Sequence, residues 1–152
     1  MNAAPQVRAE LDLPEGWEPL DWPGTIGGVR HRVATRGFTP QVLVTLDKWP
    51  GTVDAAQAIE IVRAQLRQSG ARVLAAEELG GEPPQAELRS EVKDGKGPVR
   101  GRYRLQLLHV AGDTLVLTSI ATCLRTQEPA IAADLDRILG SAKLVTPGSD
   151  RA

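Results

Sequence analysis

The sequence predicts an α+β domain: a largely antiparallel sheet with amphipathic helices packed on it. Three observations lead there. Two segments, near residues 54–70 and 126–140, carry apolar residues at helical spacing between recognisable end signals. Four further runs, around 42–46, 88–92, 103–107 and 115–124, alternate apolar and polar residues or are apolar throughout. The last three follow one another with only short turns between them, so the sheet closes by hairpins and not by helical crossovers. A chain of 152 residues, 41% hydrophobic and 24% charged, suits one domain with its own core.

In chain order, a lead bearing Pro14, Trp17, Pro19, Trp22 and Pro23 precedes a strand signal at Val29–Thr35. After Pro40, Val42, Val44 and Leu46 alternate with Gln41, Leu43, Thr45 and Asp47. Asp54 and Gln57 have capping-box spacing, so a helix starts there. Ala55, Ala58, Ile59, Val62 and Leu66 form its single apolar stripe, and Gly70 stands where a left-handed C-cap is wanted. A strand signal follows at Arg72–Glu77. Leu88 and Val92 then alternate with Glu87, Arg89 and Glu91, and Tyr103, Leu105 and Leu107 with Arg102, Arg104 and Gln106. The segment 93–98 and Ala111-Gly112-Asp113 are the hairpin turns of this meander. Leu115–Leu124 is apolar on both parities and reads as a central strand. Thr126 is the expected N-cap of a second helix, with Pro129 in its first turn, a stripe of Ile131, Leu135, Ile138 and Leu139, and Gly140 at its end. Ala142–Val145 is a closing strand. Residues 1–10 and 147–152 are expected to fray around a single domain spanning 11–146.

This order, together with local sequence, resembles the LpqN/LpqT family of actinobacterial proteins, which have the Mog1/PsbP-like fold. The resemblance rests on Gly37-Phe38-Thr39-Pro40-Gln41-Val42-Leu43-Val44-Thr45, on the helix opening Val53-Asp54-Ala55-Ala56-Gln57-Ala58, on the turn Leu79-Gly80-Gly81-Glu82-Pro83, and on the ending in a meander, a helix and a short apolar strand. It covers roughly Trp17–Val145. It implies an α/β/α-type sandwich and a non-enzymatic role as a binding partner, an assembly factor or a secretion-linked chaperone, with no catalytic residues to carry over. The chain departs from the family at Gln41, where Asn is common, and shows neither the export signal nor the lipid-anchored cysteine typical of its members. A cytoplasmic protein is therefore expected, or an envelope protein if the chain is a trimmed mature form.

Composition narrows the chemistry. Eighteen Lys and Arg against nineteen Asp and Glu leave a net charge of -1, with no overall field to steer the chain onto nucleic acid. No stretch approaches the ~18 apolar residues of a spanning helix. One cysteine, Cys123, and two histidines, His31 and His109, exclude an intrachain disulfide and cysteine- or histidine-built metal cages, and no cofactor is expected. Cys123 reads as a buried inert thiol, His109 as a hydrogen-bonded or partly exposed strand-end histidine, and His31, between Arg30 and Arg32, as a solvated one. Arg100, Arg102 and Arg104 share one parity of a strand. They are either a face for an acidic or phosphate-bearing partner or cross-strand partners of Glu87 and Glu91 on the preceding strand. Trp17, Trp22 and Trp49 are either partner-binding anchors or lids on the core. The reading is a non-enzymatic protein-binding module, an adaptor or secretion-linked chaperone in the resemblance's terms. A small-ligand carrier with an apolar pocket between sheet and helix is the alternative.

Overall fold

A computed structural model describes residues 7–145. The strand that is apolar on both parities, β8 (Asp113–Leu124), lies in the middle of a seven-stranded antiparallel sheet. It is flanked by β4 (Gln41–Trp49) and β7 (Gly97–Val110). Outside β7 come β6 (Gln85–Asp94) and β5 (Arg72–Gly80); outside β4 come β3 (Gly27–His31) and β2 (Trp17–Pro19), giving the order β2-β3-β4-β8-β7-β6-β5. Two-residue turns make both hairpins of the meander. In the first, the Asp94 carboxylate accepts from the Lys96 N–H at 2.9 Å. In the second, Ala111 and Gly112 both have positive φ (53° and 84°), which matches the twist of the strands it joins.

The helix stripes decide the layering. α1 (Ala55–Gln68) starts with a complete capping box: the Asp54 carboxylate accepts from the Gln57 N–H, and the Gln57 side chain accepts from the Asp54 N–H. It ends in a Schellman motif, with the Ala71 N–H reaching the Leu66 carbonyl at 2.9 Å over Gly70 at φ 87°. Its five stripe residues are buried against Ala86, Leu88, Leu105, Leu107 and Val116. α2 (Glu128–Ser141) buries Ile131, Leu135, Ile138 and Leu139 on the opposite face, against Trp17, Val29, Val42, Ala121 and Cys123. One helix on each face makes the α/β/α arrangement.

Several boundaries fall elsewhere than the sequence reading put them. Gln127, not Thr126, is the N-cap of α2, and it makes no side-chain capping bond within the helix. Its amide is drawn outward, accepting from the Leu124 N–H (2.7 Å) and donating to the Phe38 carbonyl (2.9 Å). Gly140 lies inside the last turn, which runs on to Ser141 because the Ser141 hydroxyl bonds back to the Ile138 carbonyl. β3 is shifted to Gly27–His31, and β5 runs on to Gly80 through two bulges. Arg8–Glu10, expected to fray, form β1, which pairs with β9 (Lys143–Val145) in a separate two-stranded sheet. The remaining end segments, 1–6 and 147–152, lie outside the described residues.

Candidate functional site

Each helix covers only half of its face of the sheet. The α1 stripe packs over β5, β6 and β7 and reaches Val116 of β8, and the α2 stripe packs over β2, β3, β4 and β8. Two half-faces therefore remain open, placed diagonally across the sheet.

The open half beside α1 is built from one parity of β4 and β8. Antiparallel register sets Leu43 opposite Ile120, Thr45 opposite Thr118, Asp47 opposite Val116 and Trp49 opposite Thr114. Leu43, Thr45, Trp49, Thr118, Ile120 and Thr122 are half-buried and Asp47 is exposed. Where these strands meet the flank of α1 there is a groove of about 430 Å³. Thr45, Asp47, Trp49, Thr118, Ile120 and Tyr103 line the sheet side, and Val62, Gln65, Leu66 and Ser69 the helix side. Burial raises the Tyr103 phenol above its ordinary value, with the Ser90 hydroxyl a smaller opposing influence, so the tyrosine is neutral at physiological pH. A Cβ at Gly101 would sit 2.8 Å from the Ser90 hydroxyl oxygen and 3.1 Å from the Tyr103 ring, so glycine there lets both side chains keep their places. Asp47 is the one formally charged lining residue. Its neighbour Lys48 is engaged elsewhere, with Asp113 at 3.4 Å.

The other open half, on the α2 face, is charged and internally paired. Glu87, 4% exposed, accepts from Arg102 at 3.0 Å and from Arg104 at 2.9 and 3.1 Å, and Arg89 stands 3.4 Å from its second oxygen. Burial pushes the Glu87 carboxyl up, yet the Arg102 and Arg104 guanidiniums outweigh it and hold the carboxyl below its ordinary value. Arg102 also donates to Asp136 of α2 at 2.6 Å. Arg100 bonds Glu91 at 2.7 Å and Glu128 at 3.2 Å. The three arginines that share a parity are thus brought together with Glu87 and Glu91 of the neighbouring strand, and two of them also tie α2 to the sheet.

The tryptophans separate. Trp17 is a core residue at 1% exposure, with its indole N–H donating to Asp134 at 3.0 Å and its ring edge-on to His31 at 5.1 Å. Trp22, in the loop between β2 and β3, is 56% exposed. Trp49 stands at the groove. Cys123 is buried, and desolvation, reinforced by Glu128, pushes its thiol up to about 11, so it carries no thiolate at neutral pH. His109 is exposed and its Nε2 lies 2.8 Å from the Val53 carbonyl, beside the loop that leads into α1. Among the described residues no group of three His, Cys, Asp or Glu converges to hold a metal ion. Nor is any helix long and apolar enough to cross a membrane.

Sequence reasoning passed over Thr45, Asp47, Thr118 and Ile120. The signal was present as a strict alternation of threonine with aliphatic residues on one parity of β8, Thr114, Val116, Thr118, Ile120 and Thr122, a pattern that suits a half-exposed face.

No protein-family model matches the chain, and no curated protein sequence matches it. Solved structures do match in fold. The crystal structure of LpqN, involved in cell envelope biogenesis of Mycobacterium tuberculosis, superposes with a TM-score of 0.72 at 17% identity, covering 94% of this chain and 86% of that one. Cyanobacterial PsbP (CyanoP) from Synechocystis gives 0.59 at 13% identity, over 91% and 92%. The Saccharomyces cerevisiae Ran-binding protein Mog1p gives 0.56 at 13% identity, over 93% and 96%. The chain has an LpqN-like, Mog1/PsbP-like fold.

Proposed function

We propose that the protein is a non-enzymatic protein-binding module that docks its partner on the open half-face formed by β4 and β8 beside α1. The observation that carries this reading is the surface itself: a sheet half-face with no helix of its own, carrying aliphatic, aromatic and hydroxyl side chains and a single carboxylate. Thr45, Thr118, Ile120 and Thr122 are β-branched and stiff at χ1, so little side-chain entropy remains to be lost on docking. Surfaces that join apolar area to aromatic anchors and are poor in charge have the composition of interface centres. The similarity in fold to a Ran-binding protein supports a protein partner of some kind. Within this reading the module acts as an adaptor or a secretion-linked chaperone, the role that the resemblance in sequence implies.

The test is co-purification from the native host with the intact chain and a Thr118→Tyr variant. Tyrosine suits a strand and fills the groove without adding charge. The expected result is a stoichiometric protein partner with the wild type, lost with the variant at unchanged melting temperature. Retention of the partner by the variant would refute docking at this face.

A second reading has its own observation. The groove's volume of about 430 Å³ lies in the range of small-ligand sites, roughly 300–1,000 Å³. As a carrier, the protein would hold an amphiphilic small molecule between Ile120, Val62 and Leu66. Native mass spectrometry of the freshly purified chain decides this by the presence or absence of a retained mass.

A further inference from the structure

Resting on the docking reading above, the geometry points to the kind of segment the groove receives: we infer that it takes an amphipathic helix of a partner protein, carrying a Lys or Arg that pairs with Asp47. The floor of the groove is the face of a sheet and not its edge. β8 is hydrogen-bonded to β4 and β7 on its two sides and β4 to β8 along its length, while β3 covers the outer side of β4 only at Gln41–Val44 and not at Thr45–Trp49. The outer side of Thr45–Trp49 presents its backbone groups in the plane of the sheet and away from the floor. An extended peptide laid on the floor therefore finds no ladder to join there, and its own N–H and C=O groups lose water without gaining partners. A helix satisfies its backbone internally. This is the solution the chain itself adopts on the two covered half-faces, with α1 and α2.

The lining fixes the chemistry of the incoming face. Ile120 and Trp49 on the sheet side, with Val62 and Leu66 on the helix side, offer apolar contact to a stripe at positions i, i+3 or i+4, and i+7. Ile61, 38% exposed and on the groove side of the α1 stripe by helical spacing, extends that wall outward. Asp47 is exposed at the mouth, and no Lys or Arg lines the groove with it. A carboxylate in that position selects a cation on the partner and disfavours an acidic one, setting register and partner choice more than raw affinity.

The experiment uses a phage-displayed library of helical peptides, about 18 residues long, selected on the intact chain. The enriched sequences are expected to carry an apolar stripe with a Lys or Arg at a fixed offset. Their synthetic peptides should gain helical ellipticity on binding, weaken about threefold or more at low salt on Asp47→Asn, and lose at least about tenfold on Thr118→Tyr. On Asp47→Lys, preference should shift to the Glu-bearing version of the same peptide. Peptides that are lost with Thr118→Tyr but are indifferent to both Asp47 variants, or that bind in extended form, overturn the basic-helix inference and leave the docking face standing. Peptides indifferent to Thr118→Tyr overturn both. An empty selection overturns the inference as well, and the docking reading is then decided by its own co-purification test.

Discussion

At the scale of single residues, Glu87 is the side chain on which the most electrostatic energy converges. One carboxylate, 4% exposed, serves Arg102 and Arg104 and stands beside Arg89. Removing it leaves the buried Arg102 with only the exposed Asp136 as counter-charge and leaves Arg104 without its carboxylate, whereas removing Arg102 leaves Glu87 still held by Arg104, and the 65% exposed Asp136 simply regains water. Breaking a buried pair by taking one partner costs about 3–5 kcal/mol, mostly as the uncompensated charge left behind. Glu87→Gln is therefore expected to destabilise by about 3 kcal/mol at pH 7 and Arg102→Leu by clearly less, an order that urea unfolding of the two variants checks. The pH dependence has a definite sign. A carboxyl held below its ordinary value contributes stability above about pH 4.3 and loses it as pH falls through the lowered folded value. The gap between wild type and Glu87→Gln should close in acid; a gap that persists below that window would put the effect in packing and not in charge.

At the scale of elements, what the sequence revealed and what it concealed divide according to how local the cause is. The start of α1 is legible because its capping box joins residues three apart, and its end because Gly70 permits the left-handed turn. The start of α2 is not, because Gln127 serves Phe38, 89 residues away, and no neighbouring residue announces that. The two ends make contrasting predictions for thermal melts. Asp54→Ala should cost about 1 kcal/mol through loss of the cap. Thr126→Ala, at an exposed residue outside the helix, should cost almost nothing, while Gln127→Ala should cost about 1–3 kcal/mol by leaving the buried Leu124 N–H unmatched, the Phe38 carbonyl keeping its bond from the Thr35 N–H. Equal effects at 126 and 127 would contradict the cap assignment. The same division holds for strands. Period two exposed β4, β6, β7 and β8, but β1 and β2 are three residues each, too short to show a period, and the partner of β1 stands at the other end of the chain. The groove was concealed for a further reason: alternation says which residues share a face, but not which half of that face a helix covers.

At the scale of the whole molecule, the two cores share one sheet, and this sets where the protein opens first. β8 is hydrogen-bonded on both sides and has buried residues of both cores on its two faces, Val116 on one and Ala121 and Cys123 on the other. Its amides can be released only when both helices and both neighbouring strands let go, which amounts to global unfolding. β1 and β9 form a ladder of three residues each, stitched to the rest by the Ala9 N–H to the Ile26 carbonyl, by Asp12 to Arg137 at 3.1 Å and by the Asp12 N–H to Ser141. Exposed links of this kind are worth little each, so this pair should open alone. Native-state hydrogen exchange is expected to order the amides accordingly, with the centre of β8 and the facing parts of β4 and β7 slowest, and β1, β9 and β2 faster by orders of magnitude. Protection in β1 and β9 equal to that in β8 would mean the small sheet belongs to the global cooperative unit. The order bears on function, because the open half-face lies on β4 and β8, in the most protected part of the sheet. A partner docking there meets a surface already formed, and its affinity should not depend on whether β1 is paired: a chain shortened to begin at Leu11 should melt earlier yet bind through the Thr118 face unchanged at temperatures well below that melt.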